Sequence, residues 1–330
     1  MNDFQLIAAL HAAGLVTSST PLLQPLPGGV SSDIVLVSDG ARRYVVKRAL
    51  EKLKVKDNWF ADISRNQVER AYLEYAARIV PGAVPRVLAG DAKAGWFAME
   101  YCGDGFVNWK QQLLTGEIHL VDAQRAGTVL GKLHHASWGD TAVQAAFSTG
   151  ANFHALRIES YLLTTAARVP EARDFLEEEA RRLARTALAL VHGDFSPKNL
   201  LVTEDRLIVL DAEVAWYGDP AFDTAFLLNH LHLKALVQWV EPAPLLALVP
   251  AFLSAYTTAL REHASPELER RTVRLLLGLL LARVHGKSPA EYLKPAHHRF
   301  ITQFVLAHLA QPPATLAAFT AVWHTALLSS

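Results

Sequence analysis

The chain has 330 residues, more than one hydrophobic core of common size holds, so two lobes or domains are expected. Hydrophobic residues make up 51% and charged residues 19%, a balance that excludes a disordered chain. Lysine plus arginine and aspartate plus glutamate stand at 32 each, which leaves no basic excess for nucleic acid and no acidic tail.

Met1 to Leu15 carries Asp3 and no basic region ahead of its apolar residues, so it reads as a short amphipathic helix rather than a signal peptide. Residues 20 to 48 read as strands. The small-residue turn Pro27 to Ser32 leads into Ile34 to Val37, Ser38-Asp39-Gly40 is a hairpin signal, and Tyr44 to Lys47 is the returning strand. Residues 64 to 79 read as a helix, with Val68, Tyr72, Tyr75 and Ile79 on one face. Pro81-Gly82 ends it, Pro85 to Leu88 is extended, and a strand from Trp96 to Tyr101 runs into the Gly103-Asp104-Gly105 breaker. Beyond that point the pattern is helical, at 121 to 135, at 171 to 188 and from Pro220 to the end. The one clear strand pair there is Asn199 to Val202 with Leu207 to Leu210, turned by Thr203 to Arg206.

The expectation is an α+β chain with a strand-rich lobe over residues 1–102 and a helical lobe over 103–330. Cys102 is the sole cysteine, so no disulfide forms within the chain and a cytoplasmic location fits. No apolar run reads as long enough to span a membrane. The greasiest, Leu275 to Leu281, is closed by Arg283 and His285.

Asp194, Asn199 and Asp211 carry the chemistry. An aspartate, an asparagine five residues on and a second aspartate beyond a hydrophobic hairpin are the parts of a kinase site. The first carboxylate orients and deprotonates a hydroxyl nucleophile, and the other two residues hold Mg2+ on ATP. At the open ends of an antiparallel pair, Asn199 and Asp211 emerge about 4.8 Å apart and can share one cation. Glu213 points to the same side if the chain stays extended.

Lys47 ends its strand one hairpin after the turn holding Gly28, Gly29 and Ser31, where a kinase lysine meets nucleotide phosphates. That turn is a candidate phosphate contact, although it lacks the spaced glycines of a phosphate-cradling loop. The lysine needs a helix glutamate as partner. At about 100° per residue Glu69 falls at the edge of the buried stripe, whereas Glu74 points nearly opposite.

With these residues in view, the chain resembles the aminoglycoside phosphotransferase and choline kinase-like small-molecule kinases, which share a protein-kinase-like fold. Their loop reads His-Gly-Asp, four residues, then Asn, as at His192 to Asn199. Two stretches are similar to 5-methylthioribose kinases: Val46 to Leu50 with Val80 to Pro85, and Asp211 to Gly218. At Asn199 the chain follows the broad group instead. The resemblance spans roughly Pro27 to Asn229. It implies Asp194 as catalytic base, Asn199, Asp211 and Glu213 as metal ligands, and Lys47 with Glu69 as the phosphate-binding pair. It also implies a hinge at Glu100, Tyr101 and Cys102 that holds adenine, with Asp223 and His192 bracing the loop. Whether Lys198 reaches a phosphate stays open.

About eight residues separate Asp211 from the helix near Pro220, too few for the segment on which a protein kinase docks a peptide. The expected partner is therefore a small molecule with a hydroxyl group, such as a sugar or amino alcohol. Candidate contacts are Trp216, Asn229, His230, His232, Arg283, His285 and Lys287. Two other readings are a catalytically silent kinase fold that binds nucleotide or acts as a scaffold, and an aminoglycoside-modifying enzyme. The latter needs acidic residues for a polycation, and no acidic cluster is aimed at the site. Oligomeric state is left open.

Overall fold

In the computed structural model, which describes residues 2–26, 32–49, 65–237 and 241–329, the alternating N-terminal segments build a five-stranded antiparallel sheet. Its strands are β1 (Leu22–Pro25), β2 (Ser32–Asp39), β3 (Arg42–Ala49), β4 (Val87–Asp91) and β5 (Trp96–Glu100), in the order β1-β2-β3-β5-β4. Helix α1 (Asp3–Ala12) starts at a capping box in which Asn2 and Gln5 satisfy each other's backbone N–H groups. Its Leu6 and Leu10 pack on Val35, Val37, Tyr44, Val46, Trp96 and Ala98.

Strand side chains alternate between faces, so Val46 enters this core and Lys47 points to the opposite face. On that side runs α2 (Arg65–Ile79), fixed by Asn66, whose amide donates to Lys47 O at 3.2 Å and Gly95 O at 2.9 Å.

The chain divides into two units: Met1–Phe106 with Asp211–Glu213, and Val107–Leu210 with Val214–Ser330. In the second unit, β6 (Val107–Asn108) joins the edge of the hairpin. β7 (Ala189–Val191) comes next in the chain, followed by the hairpin strands β8 (Leu200–Val202) and β9 (Leu207–Val209), then β10 (Trp216–Gly218). β7 and β10 pair antiparallel on either side of that hairpin in sequence. The sequence pattern missed β6, β7 and β10, because strands of two or three residues are too short to show alternation.

The helix Ala221–Val237 is buried from Ala221 to Leu236 on every side and forms the centre of this unit. The run Ala243–His263 corrects the expectation that no segment is long and apolar enough to cross a membrane: by length and composition it is. Within its unit, its Leu248–Leu260 helix packs on the helix Leu120–Ser137 at two glycines. A Cβ on Gly127 would lie 2.3 Å from Phe252 O, and one on Gly131 would lie 2.6 Å from Tyr256 O.

Gly127→Ala should therefore destabilise the protein by about 1–3 kcal/mol through overpacking, despite roughly 1 kcal/mol of better helix propensity. Urea unfolding of the variant checks this; a gain in stability would refute the backbone contact.

Candidate active site

In the first unit the alternation of β3 and the inward face of α2 bring Lys47 and Glu69 together. Lys47 Nζ donates to Glu69 Oε2 at 2.6 Å and Oε1 at 2.8 Å, and to Asp211 Oδ1 at 2.9 Å. Lys47 is 3% exposed and Glu69 1%, while Glu74 is exposed and pairs with Arg70. Burial works against the ammonium, but Asp211 and Glu69 override it and hold Lys47 above its ordinary range. Burial likewise raises Glu69, to about 7, with Lys47 opposing and Asp211 reinforcing the rise.

Two carboxylates converge on one ammonium, an oxygen-rich arrangement that suits a divalent cation. Asp211 has φ 66°, the left-handed region that Asp and Asn tolerate better than other side chains. Glu213 is 3.3 Å from the buried Arg65. Tyr101 lies under the Arg43 guanidinium at 4.3 Å, and both it and Arg43 bond to Asp104. Glu100 closes β5 with its N–H on Arg86 O, and Cys102 is half-buried. Gly28, Gly29 and Ser31 lie outside the described residues.

In the second unit the His192-Gly193-Asp194 loop is held from behind. Asp223, fully buried in the first turn of its helix, accepts from His192 N–H at 2.7 Å and Gly193 N–H at 2.9 Å. Gly193 has φ +78°, and a Cβ there would meet Val214 O at 2.6 Å, so only glycine fits. Asp194 N–H donates to His192 Nδ1 at 3.1 Å, which leaves Nε2 to carry the proton and donate to Leu210 O at 3.0 Å. Asn199 Nδ2 donates to Asp194 O at 2.9 Å, which leaves Oδ1 as the atom that could hold a cation. Asp194 Oδ2 faces Lys198 Nζ at 2.8 Å and Arg157 Nη2 at 3.4 Å.

Arg157 comes from a π-helical turn, His154–Leu163, a distortion common at functional sites. From the same turn Tyr161 stands between Arg157 and Arg283, whose guanidinium carbons are 5.8 and 6.0 Å from its ring. Burial would raise the Tyr161 phenol, but Arg283 and Arg157 hold it below its ordinary range. Arg283 Nη1 donates to Ser288 O at 2.6 Å and Tyr161 Oη at 3.3 Å.

His230 packs edge-on to Phe226; burial, then Lys234 and Arg283, keep it well below its ordinary pKa. Trp216 stacks on Phe153 at 4.3 Å. Asn229 is fully buried, and neither its amide oxygen nor its nitrogen has a protein partner among the described residues. His232, His285 and Lys287 engage Thr320, Thr302 and Glu159 respectively.

Sequence reasoning passed over Arg157, Tyr161, Lys110 and Lys234. Lys234 left a readable signal, since it and Asp223 are the Asp, Glu, Lys or Arg residues of a mainly apolar 17-residue helix. Arg157 left none, because a π-helical turn shifts the periodicity that pattern reading relies on.

A family model described as phosphotransferase enzyme family matches residues 22–264. The methylthioribose kinase of Yersinia pseudotuberculosis is 27% identical over 221 residues, covering 59% of this chain and 54% of that protein. The methylthioribose kinase of Pectobacterium atrosepticum is 28% identical over 235 residues, covering 62% and 58%. The chain thus spans a little over half the length of these curated relatives.

Two solved structures are similar over nearly all of both chains. A choline/ethanolamine kinase family protein of Mesorhizobium loti matches with TM-score 0.55 at 18% identity, covering 97% of this chain and 98% of that one. A choline kinase of Cryptosporidium parvum matches with TM-score 0.57 at 14% identity, covering 99% and 98%. At these identities the likeness shows the fold, which is α+β and protein-kinase-like.

Lys47→Met strands Glu69 as a buried unpaired carboxylate and should cost about 3–5 kcal/mol. Adding Glu69→Leu should recover much of that loss, as measured by urea unfolding. Equal stability of the wild type and the single variant would contradict the buried pairing.

Proposed function

We propose that this chain, which belongs to the phosphotransferase enzyme family, is a kinase that moves the terminal phosphoryl group of ATP onto a hydroxyl of a small molecule. The observation that carries the reading is the buried Lys47 ammonium shared by Glu69 and Asp211. Buried ion pairs add little net stability against apolar residues of similar size, so this cluster is better explained by what it binds.

In this reading Lys47, positioned by Glu69, contacts the nucleotide phosphates. Glu100, Tyr101 and Cys102 form the segment that receives adenine. Asn199 and Asp211 are the ligands for Mg2+, which when bound neutralises charge on the triphosphate. Glu213 assists through the same segment, held by Arg65. Asp194 accepts the proton of the acceptor hydroxyl as that oxygen bonds to the terminal phosphorus and the bond to the ADP oxygen breaks. Lys198 and Arg157 orient the Asp194 carboxylate and present positive charge where the transferred group becomes anionic. Asp223 fixes the loop, which makes it a positioning residue.

Asp194→Asn should lower kcat by about 10²- to 10⁴-fold while ATP still binds. Coupled ADP release measures the first and a nucleotide-binding titration the second. Full turnover in the variant would overturn the mechanism. ATP binding by the wild type without transfer to any acceptor would favour the catalytically silent reading.

A further inference from the structure

Lys234 is fully buried, and among the described residues no group accepts a hydrogen bond from its Nζ. It stands on the stripe Asp223, Phe226, His230, Lys234, whose spacings of three and four residues place these side chains on one face of the central helix. Contacts run from the loop as far as His230 and Arg283, both close enough to Lys234 for their charges to act on each other. Asp194 meets Arg157, whose guanidinium lies over both Tyr161 and Phe226 at 5.8 Å. Phe226 packs against His230, and Arg283 bonds to Tyr161. Lys234 Nζ is 5.4 Å from the centre of the Tyr292 ring, and Lys110 Nζ is 5.8 Å from it. The amide of Asn229 and Nε of Arg283 are also buried without partners.

Lys110, Arg157, Lys198, Lys234 and Arg283 thus surround this region, against Asp194 and the largely exposed Glu291 that pairs with Lys110. Lys234 and Arg283 are buried, and with the partly exposed Lys110, Arg157 and Lys198 they make the region net positive, which repels a cationic acceptor and rewards an anionic one. We propose that the acceptor is a hydroxyl compound bearing an oxyanion, a carboxylate or a phosphate monoester, which Lys234 and Arg283 bind. The inference rests on the kinase reading of the same site.

Burial, then Lys110 and Arg283, lower the Lys234 pKa to about 7, with Glu291 opposing; His230 and Tyr292 also face this group. The folded value lies below the unfolded 10.5, so this lysine makes stability rise with pH between about 7 and 10.5. An anion seated on the ammonium favours its charged form, so binding near neutral pH takes up a proton.

The test uses the full chain and its Lys234→Met variant. The variant should be at least as stable as wild type at pH 7 and should lose the pH slope, because it removes a buried unpaired charge. A lysine with a purely structural role would instead leave the variant destabilised. In coupled ADP release, wild type should prefer glycerate, gluconate or glycerol 3-phosphate to glycerol, glucose and choline. Lys234→Met should raise KM for the anionic acceptor about 10- to 100-fold, the worth of a charge-assisted hydrogen bond, with a smaller change in kcat. The carboxylate and phosphate arms tell the two oxyanions apart.

Preference for the neutral or cationic acceptors, or a rise confined to the KM for ATP, would overturn the proposal and leave the kinase reading standing. If nothing is phosphorylated, the kinase reading fails. Calorimetry of the three anionic probes in buffers of different ionisation enthalpy then decides the anion site. Binding with proton uptake that Lys234→Met abolishes supports it, and no binding at millimolar concentration overturns it.

Discussion

In the second unit the loop that carries Asp194 depends on the buried carboxylate of Asp223. It accepts the backbone N–H groups of His192 and Gly193, and His134, itself bonded to Tyr256, stands behind it at 3.3 Å. Two amides, an imidazole and the first turn of a helix together offset the desolvation of a fully buried charge. Asp194 follows directly in the loop thus fixed, and the left-handed Gly193 allows Val214 to approach closely beneath it. His192 ties the loop in turn to the end of β9, and Asn199 ties β8 to the backbone of Asp194. A flexible loop would hold none of these side chains to within a hydrogen bond.

Each unit gathers charged side chains at one place. In the first, Lys47 is shared by two carboxylates, Glu69 and Asp211. In the second, Lys110, Arg157, Lys198, Lys234 and Arg283 outweigh Asp194 and Glu291. Lys47 with Glu69 in the first unit, and Lys234 with Arg283 in the second, put charge in the interior, which a chain adopting its fold for stability alone would avoid. Such departures from local consistency mark binding sites.

Much of the fold was legible because its signals are local. The β2–β3 hairpin follows from Ser38-Asp39-Gly40 and alternation, and α2 follows from the spacing of Val68, Tyr72 and Tyr75. The same spacing separated Glu69 from Glu74. The pairs β6–β8 and β7–β10 were not legible, since each strand of β6, β7 and β10 is two or three residues long and is held by distant partners. The membrane-length run Ala243–His263 was overlooked for a related reason: its apolar residues are interrupted by small and polar ones that a search for greasy stretches discounts.

By itself the sequence determined the loop motif from His192 to Asn199, its spacing to Asp211, the place of Lys47 at the end of its strand and the family that these imply. Those are properties of periodicity and short spacing, which any chain segment carries with it. The tertiary structure alone decided that Arg157, Tyr161, Lys234 and Arg283 gather around the contacts leading from Asp194. These residues are far apart in the chain, and Arg157 and Tyr161 sit on a π-helical turn. Only the packing of the helices around the central Ala221–Val237 helix sets which of their charges meet and which stay unpaired.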